Sequence, residues 1–421
     1  MKNKIFAVSS LMLSVSSTGA FADQMHYRNV VTGERAQGMA GAYSGVSDDA
    51  SGVFYNPGGL AFAQSNDISG SANAFYSKTA TYKKAIPGGE DWKEKSGGTF
   101  APFFGTMQKL DKVYPGLVGG FAYYTIDTEL KDQDSLLYNK EGIARYHRSA
   151  NQRAATYAAT AAISYRISPS LGIGLSIGYL NVDELVQISQ NYTLTSGAQY
   201  YMSSVRESLV AHGMQTGLGI QWAPTTKLVF GLSLRTGTYA SQKYAMTSDS
   251  LVYVTGTSLS SDPVVVKSKN PLGSMPLEVR GGVALYASTK LLVTTDFDYH
   301  AEVSDTDQQA TIVNMYTKKS VLNYAVGSEY YVTPSVPVRL GYFTNKDATP
   351  NLKSSKSNQP DHVDYQGASV FVAMAQPNSQ VSVGVVFQKG IGKAQKIGGT
   401  TTMQEVNAFA YNLGFSATHN F

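Results

Sequence analysis

The feature that most restricts this chain is a two-residue alternation that recurs along it. Leu171, Ile173, Leu175, Ile177 and Tyr179 are separated by Gly172, Gly174, Ser176 and Gly178. Leu228, Phe230, Leu232 and Leu234 repeat the pattern with Gly231, Ser233 and Arg235 between or after them, and Val381, Val383, Val385 and Phe387 repeat it again. Successive side chains of a strand point to opposite faces, so each run predicts a strand with one apolar face and one small or polar face. A soluble sandwich would satisfy that pattern as well as a membrane barrel does. The spacing separates the two. Strands are predicted near 66–82, 98–108, 116–128, 153–166, 170–183, 213–223, 226–238, 276–287, 290–302, 320–332, 336–344, 366–374, 378–388 and 405–420. Their connections alternate between short turns (Ser168-Pro169-Ser170, Pro224-Thr225, Ser288-Thr289, Thr333-Pro334-Ser335, Gln376-Pro377) and long excursions such as 129–152, 184–212, 239–275 and 345–365. That is the rhythm of a barrel with one end toward the periplasm and the other outside. The expected fold class is all-β, a transmembrane antiparallel β-barrel of about fourteen strands.

The chain ends support an exported barrel. Lys2 and Lys4, an apolar run from Ile5 to Val15 and Ala20-Phe21-Ala22 have the order of a secretory signal peptide, which assigns 1–22 to the signal. No later stretch is long and apolar enough for a membrane helix, which needs about 20 such residues. Gly 40 and Tyr 28 with Cys 0 suit alternating strands with aromatic girdles and no disulfide staples. The formal charge of +4 falls to about +2 without Lys2 and Lys4, and no basic run stands out, so nucleic acid is not an expected partner. At the C-terminus, Phe421, His419, Ala417, Phe415, Leu413, Tyr411 and Phe409 share one face. This resembles the terminal signal read by the barrel assembly machinery.

Little in the sequence points to catalysis. His26, His147, His212, His300, His362 and His419 are scattered without metal-ligand spacing, so no catalytic residue, metal or cofactor is expected. Parity places Arg166, Arg235, Arg280 and Arg339 on the inward face with Glu278. Arg235 and Arg280 are candidates to meet a carboxylate head group, or to form an internal charge ladder. Inward positions such as Ser233 are expected to tolerate a charge better than lipid-facing Leu232. The third and fourth long connections carry apolar clusters, including Tyr200, Tyr201 and Leu209 in one and Tyr253 in the other. Such clusters suit substrate binding or loop self-packing.

One segment carries a family resemblance. It comprises Arg35-Ala36-Gln37-Gly38-Met39-Ala40-Gly41-Ala42-Tyr43, Ser47-Asp48-Asp49-Ala50-Ser51 and Phe54-Tyr55-Asn56-Pro57-Gly58-Gly59-Leu60. With Gly217–Leu228, Met275–Val279 and Val326–Thr333, it resembles the outer-membrane long-chain fatty acid transporter (FadL) family. The resemblance implies an N-terminal plug, or hatch, at 23–62 inside a barrel at 63–421. Asp48, Asp49, Asn56, Pro57 and Gly58 then become plug or gating residues, with Gly58 where the family usually has alanine. It further implies passive uptake of a hydrophobic small molecule, a fatty acid or a hydrocarbon, landing between the two longest loops, with exit sideways through a gap in the wall. Outer-membrane lipids and lipopolysaccharide would surround a monomeric barrel. A plugged barrel that does not transport, like the PorV branch, has a similar N-terminal motif and serves as a protein-secretion or assembly partner. The glycines of the segment suit positive φ and close approach, and Asp48, Asp49 and Asn56 suit caps on buried amides.

Overall fold

The computed structural model describes residues 25–421 except 87, 141–142, 196–198, 255–256, 269–271, 305–316, 358 and 397–400; the expected signal segment lies outside the described residues. The strands are β1 (Asp67–Ile86), β2 (Glu90–Lys109), β3 (Leu117–Lys140), β4 (Ile143–Ser168), β5 (Leu171–Leu194), β6 (Gln199–Trp222), β7 (Leu228–Val254) and β8 (Thr257–Ser268). They continue as β9 (Glu278–Tyr286), β10 (Leu291–His300), β11 (Val321–Thr333), β12 (Val336–Asn345), β13 (His362–Gln376), β14 (Ser379–Ala394) and β15 (Gln404–Asn420). Sequential antiparallel pairing, closed by β1 on β15, joins fourteen of them into a ring. β8 pairs only with the far half of β7, while the near half of β7 pairs with β9. Every predicted strand is present, and β8 is an addition.

The strands outrun their predicted ends on one side of the ring. The excursions expected at 129–152, 184–212 and 239–275 largely continue the sheet as tall hairpins of β3 to β8. On β5 the outward residues Leu171, Ile173, Leu175, Ile177 and Tyr179 are apolar, but from Leu180 upward the apolar residues Val182, Val186 and Ile188 are buried on the inward face. The switch follows from what each face meets. Leu171 to Tyr179 is nine residues, close to the roughly 9–11 that a tilted strand needs to cross hydrocarbon. Above it the outer face is in water, so the apolar side turns in. β6 switches likewise, from outward Leu218, Ile220 and Trp222 to inward Val205, Leu209 and Ala211.

Around the ring the exposed apolar set continues through Phe230, Leu232, Leu234, Leu285, Phe297, Leu340, Val383 and Phe415. A belt of this extent fits a bilayer and no soluble surface. Leu232→Arg is therefore expected to destabilise the barrel by roughly 2 to 4 kcal/mol. Leu251→Arg, outward on the same strand but above the belt, is expected to be near neutral; equal shifts of the two in heat-modified gel mobility would contradict this placement of the belt.

Candidate functional site

The N-terminal segment, residues 25–63, is folded against the inner face of the ring. Two short helices, α1 (Glu34–Gly38) and α2 (Gly52–Tyr55), and a 3-10 turn at Pro57–Phe62 punctuate it. α1 touches β1 and β12 to β15, α2 touches β3 and β4, and the 3-10 turn touches β3 to β7. Ala50 approaches β2 at Gly105, Ser44 approaches β9 at Gly282, Asp296 of β10 accepts from Ser44, and Glu329 of β11 holds Arg35. Between them these residues meet every strand of the ring.

Close approach explains the small inward face read from the sequence. A Cβ added at Gly231 would stand 2.0 Å from the Ser44 carbonyl oxygen, and one at Gly174 would stand 2.3 Å from the carbonyl carbon of Pro57. The segment's backbone lies directly on the wall, with no room for side chains between. Of the segment's glycines predicted for positive φ, Gly41 adopts it (+75°), while Gly38, Gly45, Gly52, Gly58 and Gly59 serve packing. Ser233, expected to tolerate charge, instead donates to the Tyr55 carbonyl at 2.9 Å and has no space for it. Gly231→Ala is expected to displace the segment, read as faster proteolysis and higher conductance. Gly281→Ala, whose Cβ meets nothing within 4 Å, is expected to change neither.

The predicted plug residues act locally. Asn56 accepts from Gly58 N at 3.1 Å and donates at 3.0 Å to the carbonyls of Ser44 and Ile220, so it caps the 3-10 turn and ties it to β6. Pro57 occupies the first position of that turn, where its missing N–H is not needed. Asp49 accepts from Ser51 N at 2.9 Å and from the Tyr43 hydroxyl at 2.6 Å. Asp48 pairs with Arg35 at 2.9 Å instead of capping an amide. Burial pushes the Tyr55 hydroxyl up to about 12, so it stays a donor and binds the Thr32 carbonyl at 3.1 Å.

Ion pairs fix the segment to the barrel. Arg339 of β12, fully buried, pairs with Glu34 of the segment and Glu329 of β11, each at 2.6 Å, and Arg35 reaches the same Glu329 at 3.0 Å. Arg28 pairs with Asp298 of β10, beside His300, on whose ring Tyr27 stacks at 3.7 Å. Arg235 and Arg280 converge on Glu278 at 3.3 and 2.9 Å, with their guanidiniums 4.4 and 5.2 Å from the Phe54 ring. Arg235 also donates to the Phe54 carbonyl, and Arg166 to the Ala61 carbonyl at 2.9 Å. Arg235 and Arg280 thus lie between Glu278 of the wall and Phe54 of the segment.

The four apolar candidates divide between the two faces of the tall hairpins. Tyr201 packs inward with Tyr192, Ile143 and Leu194, and Leu209 packs inward with Val182, Val205 and Tyr244. Tyr200 is half-buried on β6, and Tyr253 lies exposed on the outer face of β7.

Sequence reasoning missed one feature of the wall. The β2–β3 ladder runs from Lys109↔Val118 to Phe103↔Tyr124 and resumes at Gly97↔Leu130. Between those points Gly98, Phe100, Ala101 and Pro102 have no ladder partner on β3 among the described residues, and the Pro102 carbonyl accepts from the Thr125 hydroxyl at 3.3 Å instead. Pro102 lacks the N–H a ladder requires, and β3 bulges at the same height between Thr125 and Asp127. The signal was available, since proline inside a central strand marks an interruption. A pocket sits at the gap, lined by Gly98, Phe100, Asp127 and Glu129 from the wall and by Asn29 and Val30 from the segment behind it. Asn29 donates to Asp127 at 3.2 Å, so the segment closes the inner side.

No protein-family model matches this sequence. Nor does any curated protein. Solved structures match over nearly the whole chain. The Pseudomonas putida toluene transporter TodX has a TM-score of 0.69 at 15% identity, covering 93% of this chain and 98% of that one. A Pseudomonas aeruginosa FadL homologue has a TM-score of 0.63 at 15% identity, covering 94% and 100%. The Ralstonia pickettii toluene transporter TbuX has a TM-score of 0.57 at 11% identity, covering 93% and 98%. Fourteen antiparallel strands closed around a folded N-terminal segment thus give this chain the fold of the FadL-type transport barrels.

Proposed function

We propose that the protein is a passive channel for hydrophobic compounds in the Gram-negative outer membrane, with residues 25–62 as its plug and the β2–β3 gap as its exit. The observation that carries this reading is the gap itself, which lies behind the plug at a bulge and a proline. Solute entering from the tall side of the barrel would meet the plug, and a shift of the Asn29 region would join the interior to the pocket. A hydrophobic solute passing sideways there leaves into the membrane without crossing water, so no energy source is needed. The structural likeness to barrels described as toluene transporters and to a FadL homologue supports the solute class. Long-chain fatty acids and monoaromatic hydrocarbons both fall within it. The tall polar-faced hairpins of β3 to β8 support an outward position for that end of the barrel, with the short turns in the periplasm and the barrel acting as a monomer.

Cells lacking their own hydrophobe channels test this. Expression is expected to raise uptake of labelled oleate or toluene, and Gly98→Trp, which fills the pocket, is expected to cut it several-fold. No uptake of either solute, together with capture of a secreted protein by the native barrel, would favour the docking role instead.

A further inference from the structure

Four exposed lysines stand on one sector of the barrel's outer face, Lys389 and Lys393 on β14 and Lys93 and Lys95 on β2. None of the four makes an ion pair among the described residues, whereas Lys83 of β1, between them, is held by Asp91 at 2.7 Å. The ladder sets their spacing. Lys389 lies opposite Phe409, Phe409 opposite Thr79, and Thr79 opposite Lys95. Neighbouring strands are about 4.8 Å apart, so Lys389 and Lys95 stand roughly 14 Å from each other along this row. Strands of a barrel tilt, so such rows slope. Outward Tyr179, at the top of the belt on β5, shares a row with Ala417 near the foot of β15, through Ala159, Tyr123, Phe104 and Gly70. Lys389 therefore stands lower than Lys95, and Lys393, further along β14, returns toward the height of Lys95.

Lys389 marks the rim of the lipid. From Ser379 to Lys389 is eleven residues, about what a tilted strand needs to cross hydrocarbon. Below it, Val383 and Phe387 of β14 and Tyr411 and Phe415 of β15 are exposed and apolar. Glu405 lies opposite Lys393 and Asp364 opposite Ile391, so two acids meet four lysines and the sector keeps a positive excess. Toward the same end of β10 to β12 the outward residues Tyr299, Leu322, Tyr324 and Tyr342 are uncharged.

A cationic sector at the membrane rim is complementary to an anionic lipid head. A glycerophospholipid with a single phosphate cannot span two cation groups this far apart. A disaccharide with a phosphate at each end can, and its several acyl chains would lie down β14 and β15. We propose that this sector docks one molecule of a diphosphorylated glycolipid of the lipid A kind, one phosphate on Lys389 and Lys393 and the other on Lys93 and Lys95. Glu405 and Asp364 accept from its sugar hydroxyls. The site borders the exit gap, because Phe100 of that pocket is exposed below Lys95 on the same strand. This rests on the outer-membrane placement in the reading above and not on transport.

The test offers diphosphoryl lipid A, monophosphoryl lipid A and phosphatidylglycerol to the detergent-solubilised native barrel and reads retained lipid by native mass spectrometry. Diphosphoryl lipid A is expected to be retained at one copy per barrel and to outcompete the other two. Lys389→Gln and Lys95→Gln are each expected to weaken that retention about fivefold, the contribution of one lysine near an anionic lipid surface. Lys243→Gln, at an exposed outward lysine of β7, is expected to leave it unchanged. Diphosphoryl lipid A held no better than phosphatidylglycerol, or lost equally in the Lys243 variant, would overturn the site. Fractionation of expressing cells checks the placement separately: a folded barrel outside the outer-membrane fraction would sink the placement and the site with it.

Discussion

Arg339→Leu is expected to release the N-terminal segment and convert the closed barrel into a leaky one. Arg339 neutralises Glu34 and Glu329 at once, and both carboxylates are buried. Removing one member of a buried ion group leaves the others uncompensated and costs about 3–5 kcal/mol. Arg35 would keep Glu329, but Glu34 would retain, among the described residues, the Gln380 amide at 2.7 Å. The barrel wall has its own ladder and should survive, so the loss falls on the attachment of α1. Conductance in planar bilayers should rise, and protease should reach the segment. Arg339→Lys should fall between, because an ammonium cannot make the two-pronged contact. Adding Glu34→Gln and Glu329→Gln to Arg339→Leu should recover part of the closure, since the stranded charges are then gone. Unchanged conductance in Arg339→Leu would mean that packing on the glycine face, and not the ion group, holds the segment.

The barrel was legible because the lipid imposes its pattern on the sequence. Each strand needs an unbroken apolar face over about 9–11 residues, and Leu171 to Tyr179 shows it directly. The tall hairpins were not legible as strands, because the same alternation inverts where water replaces lipid. Val186, Ile188, Tyr192 and Leu194 keep the alternation of the residues below them, broken only at Gln190. Their partners Gln187, Ser189, Asn191 and Thr193 look like loop residues to a reading that expects grease outside. That inversion also divided the apolar candidates, sending Tyr201 and Leu209 inward and leaving Tyr253 outward.

The plug motif was legible as a resemblance, but its attachment was not. Arg339 could be placed inward by parity, yet Glu34 and Glu329 stand 305 and 10 residues away from it in the chain. Nothing local marks that meeting. The inward glycines were read as a small polar face, and their cause, a backbone lying on the wall, appears only when Gly231 is seen against Ser44. Short glycine-rich contacts of this kind conserve shape with few fixed residues, which fits a fold match at 15% identity where no family model matches.

Hydrophobic solute is expected to pass only when the N-terminal segment moves, and a reversible tether tests that dependence directly. A Cβ built at Gly120 of β3 lies 2.8 Å from Cγ2 of Val53 in α2, so cysteines at these two positions are within reach of a disulfide. The chain has no cysteine of its own, so that bond would be the only one possible within the protein. The bond pins α2 to the wall without touching the β2–β3 pocket. Uptake of toluene or oleate through the Val53→Cys, Gly120→Cys barrel is expected to fall to the level of empty membranes under oxidising conditions and to return on reduction, with uptake through neither single cysteine variant changing between the two conditions. Native uptake through a barrel whose crosslink is verified by mass spectrometry would contradict the claim.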